Sequence, residues 1–119
     1  MMTNTTPQTY YGVSSDVVTP RVISMQGPGS STISAMYVLS AALTPASVGA
    51  NTTAVQTFTV NGLAVGDSID INKPSHQVGL SIGNVYVSAA NTLQIQYVNT
   101  TASPITPTSE TYIIGGTRP

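Results

Sequence analysis

The sequence predicts an all-β protein, a small antiparallel β-sandwich of Ig-like or jelly-roll-like topology that follows an extended N-terminal arm. After residue 34, apolar and polar residues alternate with a period of two in short runs, as in half-buried strands. Turn residues separate these runs at the ~8 to 12 residue spacing of sandwiches and barrels. Residues 41–49 are the one helix-tolerant stretch, and Pro45 interrupts it. About six or seven short strands are therefore expected.

The first strands are predicted from the side chains that share a face. A run over residues 36–43 opens the series, and in the next run Phe58 and Val60 mark the face that points to the core. An Asn-Gly pair then predicts a turn. In the third run Ile69 and Ile71 point inward, and a Gly-Asp pair supplies the turn before it.

A change of parity marks the fourth predicted strand. Leu80 and Ile82 share a face, but Val85 and Val87 have the opposite parity. A bulge or tight turn at residues 83–84 is therefore predicted to reset the register. The last two strands are predicted from inward-facing Leu93, Ile95 and Tyr97, and then from Tyr112 and Ile114.

The composition divides the chain into two parts. Residues 1–33 are mostly polar, carry several Pro and Gly residues, and cannot close a core of their own. We interpret them as an extended arm, with the Gly-Pro-Gly segment at residues 26–30 as its hinge. The sandwich domain is expected to span residues 34–119.

Charge is scarce along the whole chain. Globular proteins usually draw about a quarter of their residues from Asp, Glu, Lys and Arg. Here the 119 residues contain seven: Asp16, Arg21, Asp67, Asp70, Lys73, Glu110 and Arg118. Hydroxyl and amide groups can face water, and they can also be buried in a protein contact at less cost than ions. The surface therefore suits burial against partners or further copies of the chain.

The same composition argues against several other functions. A net charge of −1 leaves no basic surface for nucleic acid, so none is expected as a partner. The absence of Cys excludes disulfides and thiolate metal sites. The longest apolar run is far shorter than the ~20 residues that span a bilayer, and we expect no membrane partner.

No group of residues predicts catalysis. Asp67 and Asp70 are the closest carboxylates, but residues three apart on a strand point to opposite faces. We interpret Asp67 as a turn residue and Asp70 as a solvated strand residue. His76 is the one histidine, and a single imidazole without thiolates rarely forms a metal site. The prediction is a protein without enzymatic activity, cofactor or metal.

The arm contains the candidate partner interface. Adjacent tyrosines are typical of binding hot spots, and a segment without a core has little else in which to bury them. The predicted interface consists of Tyr10, Tyr11, Val13, Val17, Val18, Arg21 and Ile23.

Four separated segments carry a resemblance to a known module. They are TAVQTFTVNGLAVGD at residues 53–67, NKP at 72–74, VSAANTL at 87–93, and ITPT with ETY between 105 and 112. In order and spacing, residues 48–114 resemble a small β-sandwich module of tailed-bacteriophage virion proteins. The usual pattern has a smoother, Gly-rich apolar segment where this chain has HQVGLSI at residues 76–82.

The resemblance implies a structural role on the particle. It implies a head decoration or cement protein that is made in the host cytoplasm and located on the capsid surface. Its expected partners are the major capsid protein and further copies of itself, with a trimer as one arrangement. A head-fibre or tail-attachment protein is an alternative. A carbohydrate-binding sandwich is another, and it would need several exposed Trp or Tyr rings.

Overall fold

The computed structural model describes the backbone of Ile23 and Ser24 and all of residues 32–119. Two short strands, β1 (Ile23–Ser24) and β2 (Thr32–Ile33), pair antiparallel. The predicted domain boundary between residues 33 and 34 falls directly after β2. Apart from these two strands, the predicted arm and its hinge lie outside the described residues.

Six longer strands follow, and each is antiparallel to its neighbours. They are β3 (Ala35–Leu43), β4 (Thr52–Thr59), β5 (Ser68–Asn72), β6 (Leu80–Ala89), β7 (Thr92–Asn99) and β8 (Glu110–Arg118). The all-β prediction is confirmed, since residues 32–119 contain no helix. Within this described part there is accordingly no helix that could cross a membrane.

The six strands form two three-stranded sheets. Sheet 1 has the order β3-β8-β5, and sheet 2 has the order β4-β7-β6. Of these six strands, the first, β3, pairs with the last, β8. The second, β4, pairs with the next to last, β7, so the pairing is nested. Consecutive strands β3 and β4 lie in different sheets, whereas an Ig sandwich places its first two strands in the same sheet. The topology is therefore the jelly-roll-like alternative.

One core fills the space between the sheets. The predicted inward-facing residues of β7 and β8 are all fully buried in it, and Ile69 and Ile71 of β5 pack against it. Burial of each large apolar side chain contributes about 1.5 to 3 kcal/mol. The buried cluster comprises Leu43, Val48, Val60, Leu63, Val87, Leu93, Ile95, Tyr97, Tyr112 and Ile114.

The predicted irregularity in β6 is present. The register of β6 against β7 shifts between Ile82 and Asn84. A Cβ atom on Gly83 would lie 2.8 Å from the side-chain oxygen of Gln96, so a larger residue there would displace that amide. A second shift, between Val87 and Ala89, was not predicted because no turn residue marks it.

Asn99 joins two loops at the end of β7. Its side-chain nitrogen donates to the carbonyls of Val48, Gly49 and Ser103 at 2.8–3.1 Å. Its side-chain oxygen accepts from the backbone N–H and the hydroxyl of Thr101, both at 2.8 Å. Asn99 is buried, so these bonds replace water for groups that would otherwise be unsatisfied. One amide thus fixes the two loops that close this end of the sandwich.

Replacement of Asn99 by Ala is expected to destabilise the fold. The change removes five hydrogen bonds and leaves the Gly49 carbonyl and the Thr101 N–H without these partners, and we expect a loss of at least about 2 kcal/mol in the free energy of unfolding. Urea denaturation followed by circular dichroism measures this loss. The matched control is Asn72→Ala, because Asn72 is exposed on β5. Equal stability of the two variants would contradict the bridging role.

Candidate functional site

Most of the charge in residues 32–119 is paired inside the molecule. This part of the chain has five charged side chains, and two ion pairs take up four of them. Asp67 pairs with Arg118, and Lys73 pairs with Glu110. The surface of the described sandwich therefore carries Asp70 as its one charged side chain outside these pairs.

Asp67 is the centre of a buried polar cluster. Arg118 at the end of β8 donates to both carboxylate oxygens, from Nε at 2.7 Å and from Nη2 at 2.8 Å. Tyr37 on β3 donates its hydroxyl to Oδ2 at 2.5 Å, and the Ala64 N–H donates to the same atom at 3.0 Å. Arg118 also donates to the Gly62 carbonyl at 2.9 Å. The carboxylate is fully shielded from solvent, with 0% of its side chain exposed.

The cluster shifts the pKa values of its members in opposite directions. The hydrogen bonds from Arg118, with those from Tyr37 and the Ala64 N–H, hold the pKa of Asp67 well below its usual range. Burial, together with the hydrogen bond to Asp67, raises the pKa of Tyr37 to about 12. The guanidinium also lies 5.8 Å from the centre of the Tyr37 ring, within cation–π range. Asp67 therefore stays ionised and accepts hydrogen bonds, and Tyr37 stays neutral and donates one to it.

This arrangement differs from the expected role of Asp67 as a simple turn residue. Asp67 follows the turn that includes Gly66, and its side chain points inward to Arg118. Asp70 lies on the opposite, exposed face of β5, so the two carboxylates diverge as the strand spacing predicted. The sequence signal for the pair was the rarity of charge. With one other Arg and one Lys in the chain, Arg118 was a candidate partner for any buried acid.

The second ion pair closes one end of the sandwich. Lys73 donates to Glu110 at 2.9 Å, and the Ser75 hydroxyl donates to the same carboxylate oxygen at 2.8 Å. Burial opposes ionisation of Glu110, but the hydrogen bonds from Lys73 and Ser75 outweigh it and lower the pKa. Nearby, the hydroxyls of Tyr97 and Tyr112 bond each other at 2.8 Å in the core, and burial raises the pKa of both phenols.

The outer face of sheet 2 carries no charged side chain. Its three strands present only hydroxyl, amide, aliphatic and phenol groups. The residues directed away from the core are Thr53, Val55, Thr57, Thr59, Ser81, Asn84, Tyr86, Ser88, Thr92, Gln94, Gln96 and Val98. Tyr86 is 48% exposed, and the Gln94 amide beside it donates to the Thr57 hydroxyl at 3.4 Å.

The outer face of sheet 1 is more apolar. Met36 and Val38 on β3 are 65% and 75% exposed, and Ile113 on β8 is also exposed. Gly115 pairs with Val38 on one side and with Asp70 on the other. It has no side chain, so a shallow depression forms between them. This face, named here the sheet 1 face, comprises Met36, Val38, Ser40, Ala42, Ser68, Asp70, Asn72, Thr111, Ile113, Gly115 and Thr117.

His76 lies in the loop between β5 and β6. It lines an open cleft of about 370 Å³ together with Lys73, Gln77 and residues of β5 and β6. The Lys73 amine is taken up by Ser75 and Glu110, and the Gln77 amide bonds the backbone of Thr106 and Thr108. Among the described residues, no group of three or more His, Asp or Glu side chains could hold a metal ion.

The predicted partner interface is not placed by this structure. Tyr10, Tyr11, Val13, Val17, Val18 and Arg21 lie outside the described residues. Ile23 lies in β1, where its backbone pairs with Ile33 of β2. The exposed apolar residues Met36, Val38 and Ile113 were not singled out from the sequence. Strand periodicity could have placed them on an outer face, but not shown that this face stays uncovered.

Comparisons with protein-family models, curated proteins and solved structures find no match to this chain.

We expect Asp67→Asn to destabilise the protein strongly, since it removes the charge that Arg118 and Tyr37 bond. Loss of charge-assisted bonds in a buried site costs about 2 kcal/mol or more. The matched control is Asp70→Asn, because Asp70 is an exposed carboxylate on β5, the strand that begins directly after Asp67. We expect this variant to change the free energy of unfolding by less than about 0.5 kcal/mol. Thermal and urea denaturation measure both. A difference within error between the two variants would contradict the structural role of the cluster.

Stability should also fall at both extremes of pH. The pKa of Asp67 is lower in the folded state, so its contribution is present above about pH 4 and is lost as the pH falls below that value. The pKa of Tyr37 rises from 10.0 to about 12 on folding, so its contribution is present below pH 10 and is lost between those values. Urea midpoints across this alkaline range should fall less steeply for Tyr37→Phe than for the unmodified protein. Parallel profiles would contradict the assignment.

Proposed function

We propose that this protein is a structural virion protein, a decoration or cement protein that binds the head surface of a tailed bacteriophage and reinforces the junctions between shell subunits. The resemblance of residues 48–114 to the virion β-sandwich module supports this role. The observation that carries the proposal is the nearly uncharged exterior of the sandwich, whose charged side chains are mostly paired inside.

The argument rests on the cost of removing water. A surface covered by charged side chains must desolvate ions when it binds, and rim ion pairs return little of that cost. A surface of Thr, Ser, Gln and Asn exchanges hydrogen bonds with water for similar bonds with a partner. A protein that functions while bound to other subunits can therefore bury such a surface at a low desolvation cost.

The sheet 1 face is the part of the described sandwich best suited to contact the shell. Met36, Val38 and Ile113 offer apolar side chains, and Asp70 is the one charge among them. The partner surface that fits is flat, uncharged and partly apolar, and we assign it to the major capsid protein. The predicted arm would add a second, independent contact, and tethering by two contacts raises affinity through effective concentration.

The proposed action is mechanical and involves no bond-making chemistry. In the cleft beside His76, the Lys73 amine and the Ser75 hydroxyl are bonded to each other and to Glu110, and this structural use supports a binding role over a catalytic one. A head-fibre or tail-attachment protein would use the same surfaces. Location of the protein on the particle by electron microscopy would distinguish these sites.

One observation favours a second function, binding of carbohydrate. Tyr86 is exposed on an uncharged face beside Gln94 and Thr57, and an aromatic ring flanked by amides and hydroxyls suits a sugar. Sugar-binding faces usually stack several rings, and this face of sheet 2 has one. The particle-binding proposal is therefore preferred. Binding to an oligosaccharide array that is lost in Tyr86→Ala would support the second function.

Attachment to particles should withstand salt and yield to urea. Apolar and neutral polar contacts are not screened by ions, so a rise in sodium chloride from about 0.05 M to about 1 M should leave occupancy nearly constant. Urea below the unfolding range should release the protein, since it solvates apolar and peptide groups. Particles that lack the protein are mixed with it and sedimented, and the bound fraction is quantified. Release by salt alone would contradict the proposal.

Two variants locate the contact in the same assay. Ile113→Glu places a charge in the centre of the sheet 1 face and should reduce binding at least about tenfold, because the charge must be desolvated. Val78→Glu is the matched control, since Val78 is 94% exposed and lies in the loop between β5 and β6, outside the residues of that face. Circular dichroism checks that both variants fold. Equal binding by the two would rule out the sheet 1 face as the contact.

A further inference from the structure

The four edge strands of the sandwich differ in how they are protected against pairing. Edge strands expose unpaired N–H and C=O groups, and proteins usually protect them by shortness, charge, proline or bulges. β5 has five residues, includes Asp70, and is followed closely by Pro74. β6 is interrupted by two register shifts. Both strands are therefore poor templates for another strand.

The other two edges lie on the opposite side of the sandwich. β5 and β6 contact each other across the sheets, so β3 and β4 flank the far side. On that side the loop after β3 is tied to β4, because the Gln56 amide bonds both the N–H and the carbonyl of Ala46 at 2.7 and 2.8 Å. β3 has no such attachment in the described residues.

β3 is a regular strand without protection. Its nine residues, AMYVLSAAL, contain no charge, proline or glycine, and all nine pair with β8 without a register shift. Among the described strands, β8 is its one partner, and no described strand pairs with the backbone groups on its other side. Such a strand is a template for one more antiparallel strand.

We propose that β3 pairs with β3 of a second copy of this chain, antiparallel about a two-fold axis at Leu39. Directly opposite residues in a sheet point to the same face, so the sum of paired residue numbers must be even. Of the permitted registers, the one centred on Leu39 pairs all nine residues of both strands. The product is a continuous six-stranded sheet with the order β5-β8-β3-β3-β8-β5.

Side-chain sizes are complementary in this register. On the outer face Met36 lies opposite Ala42 of the second copy, and Val38 lies opposite Ser40 of the second copy. Each large exposed side chain therefore meets a small one, twice by symmetry. Met36 and Val38 are among the most exposed large apolar residues of the described chain, and the pairing would cover part of both.

The inner face repeats the pattern. Tyr37 lies opposite Ala41 of the second copy, and Leu43 lies opposite Ala35 of the second copy. Large residues occupy positions 36–39 and small residues positions 40–42, so the strand fits its own reverse, and Leu39 meets Leu39 of the second copy at the axis. The side-chain sizes of an unrelated strand would not be matched to β3 in this way. The match therefore favours a second copy of this chain as the strand that pairs with β3. The self-pairing stands whether or not the protein binds a particle.

The first test measures dimerisation of the full chain by sedimentation equilibrium. We expect a concentration-dependent dimer, and we expect Val38→Lys to weaken it at least about tenfold by placing like charges near the two-fold axis. Val78→Lys carries the same change in an exposed loop and should dimerise normally. A monomer at all concentrations, or a dimer that Val38→Lys leaves unchanged, would overturn the proposal.

The second test reads the register directly and does not depend on affinity. The chain has no Cys, so introduced thiols report single contacts. Opposite residues in an antiparallel pair have Cα atoms about 4.5 to 5.5 Å apart, which permits a disulfide. A mixture of Val38→Cys and Ser40→Cys proteins should form a mixed disulfide on mild oxidation, at least about fivefold more than either variant alone. Equal cross-linking in all three samples would overturn the register.

Discussion

The insertion of β8 between β3 and β5 is the constraint on which sheet 1 depends. β3 and β5 do not pair with each other, and each is held in the sheet by its ladder with β8. The sheet therefore cannot form until the last strand of the chain meets the first strand of the sandwich. Among the six strands of the two sheets, only β6 and β7 are joined by a tight hairpin, with Asn91 in the left-handed conformation that its turn requires. The stability of the fold consequently rests on contacts that are distant in sequence.

The buried ion pair at the end of β8 specifies this insertion. Arg118 reaches Asp67 only when β8 has the observed register, because a slip by one residue would turn its side chain to the outer face. Such a pair adds little net stability over an apolar contact, since the Asp67 carboxylate loses all its water and the Arg118 side chain, 33% exposed, loses part of it. The role of the Asp67–Arg118 pair is to select one register of β8 in sheet 1. Tyr37 extends the same selection to β3 through its bond to the carboxylate.

The internal use of charge determines what is left outside. Two ion pairs take four of the five charged side chains of residues 32–119, and apart from Asp70 the outer faces present neutral polar and apolar groups. The pairing of charged side chains that specifies the strand arrangement thus also leaves surfaces that can be buried at low cost in desolvation. The proposed decoration role and the proposed self-pairing of β3 both draw on this property, and they share Met36 and Val38, which belong to the sheet 1 face and to the β3 edge.

The sequence by itself determined the local structure. Period-two alternation placed Phe58, Ile69 and Leu93 on inward faces, and the parity change at residues 83–84 located the bulge, because side-chain direction in a strand depends only on neighbours in sequence. The scarcity of charge was equally visible in the sequence, and it directed attention to the surface as a binding surface.

Only the tertiary structure decided which strands pair and which surfaces remain uncovered. The nested order, the Asp67–Arg118 pair and the exposure of Val38 all depend on contacts between residues far apart in the chain. Alternation shows that a side chain leaves the core, but it does not show whether another strand then covers it. The edge of β3 is likewise a feature that alternation in the sequence could not reveal. It exists because the chain places β8 on one side of β3 and no described strand on the other.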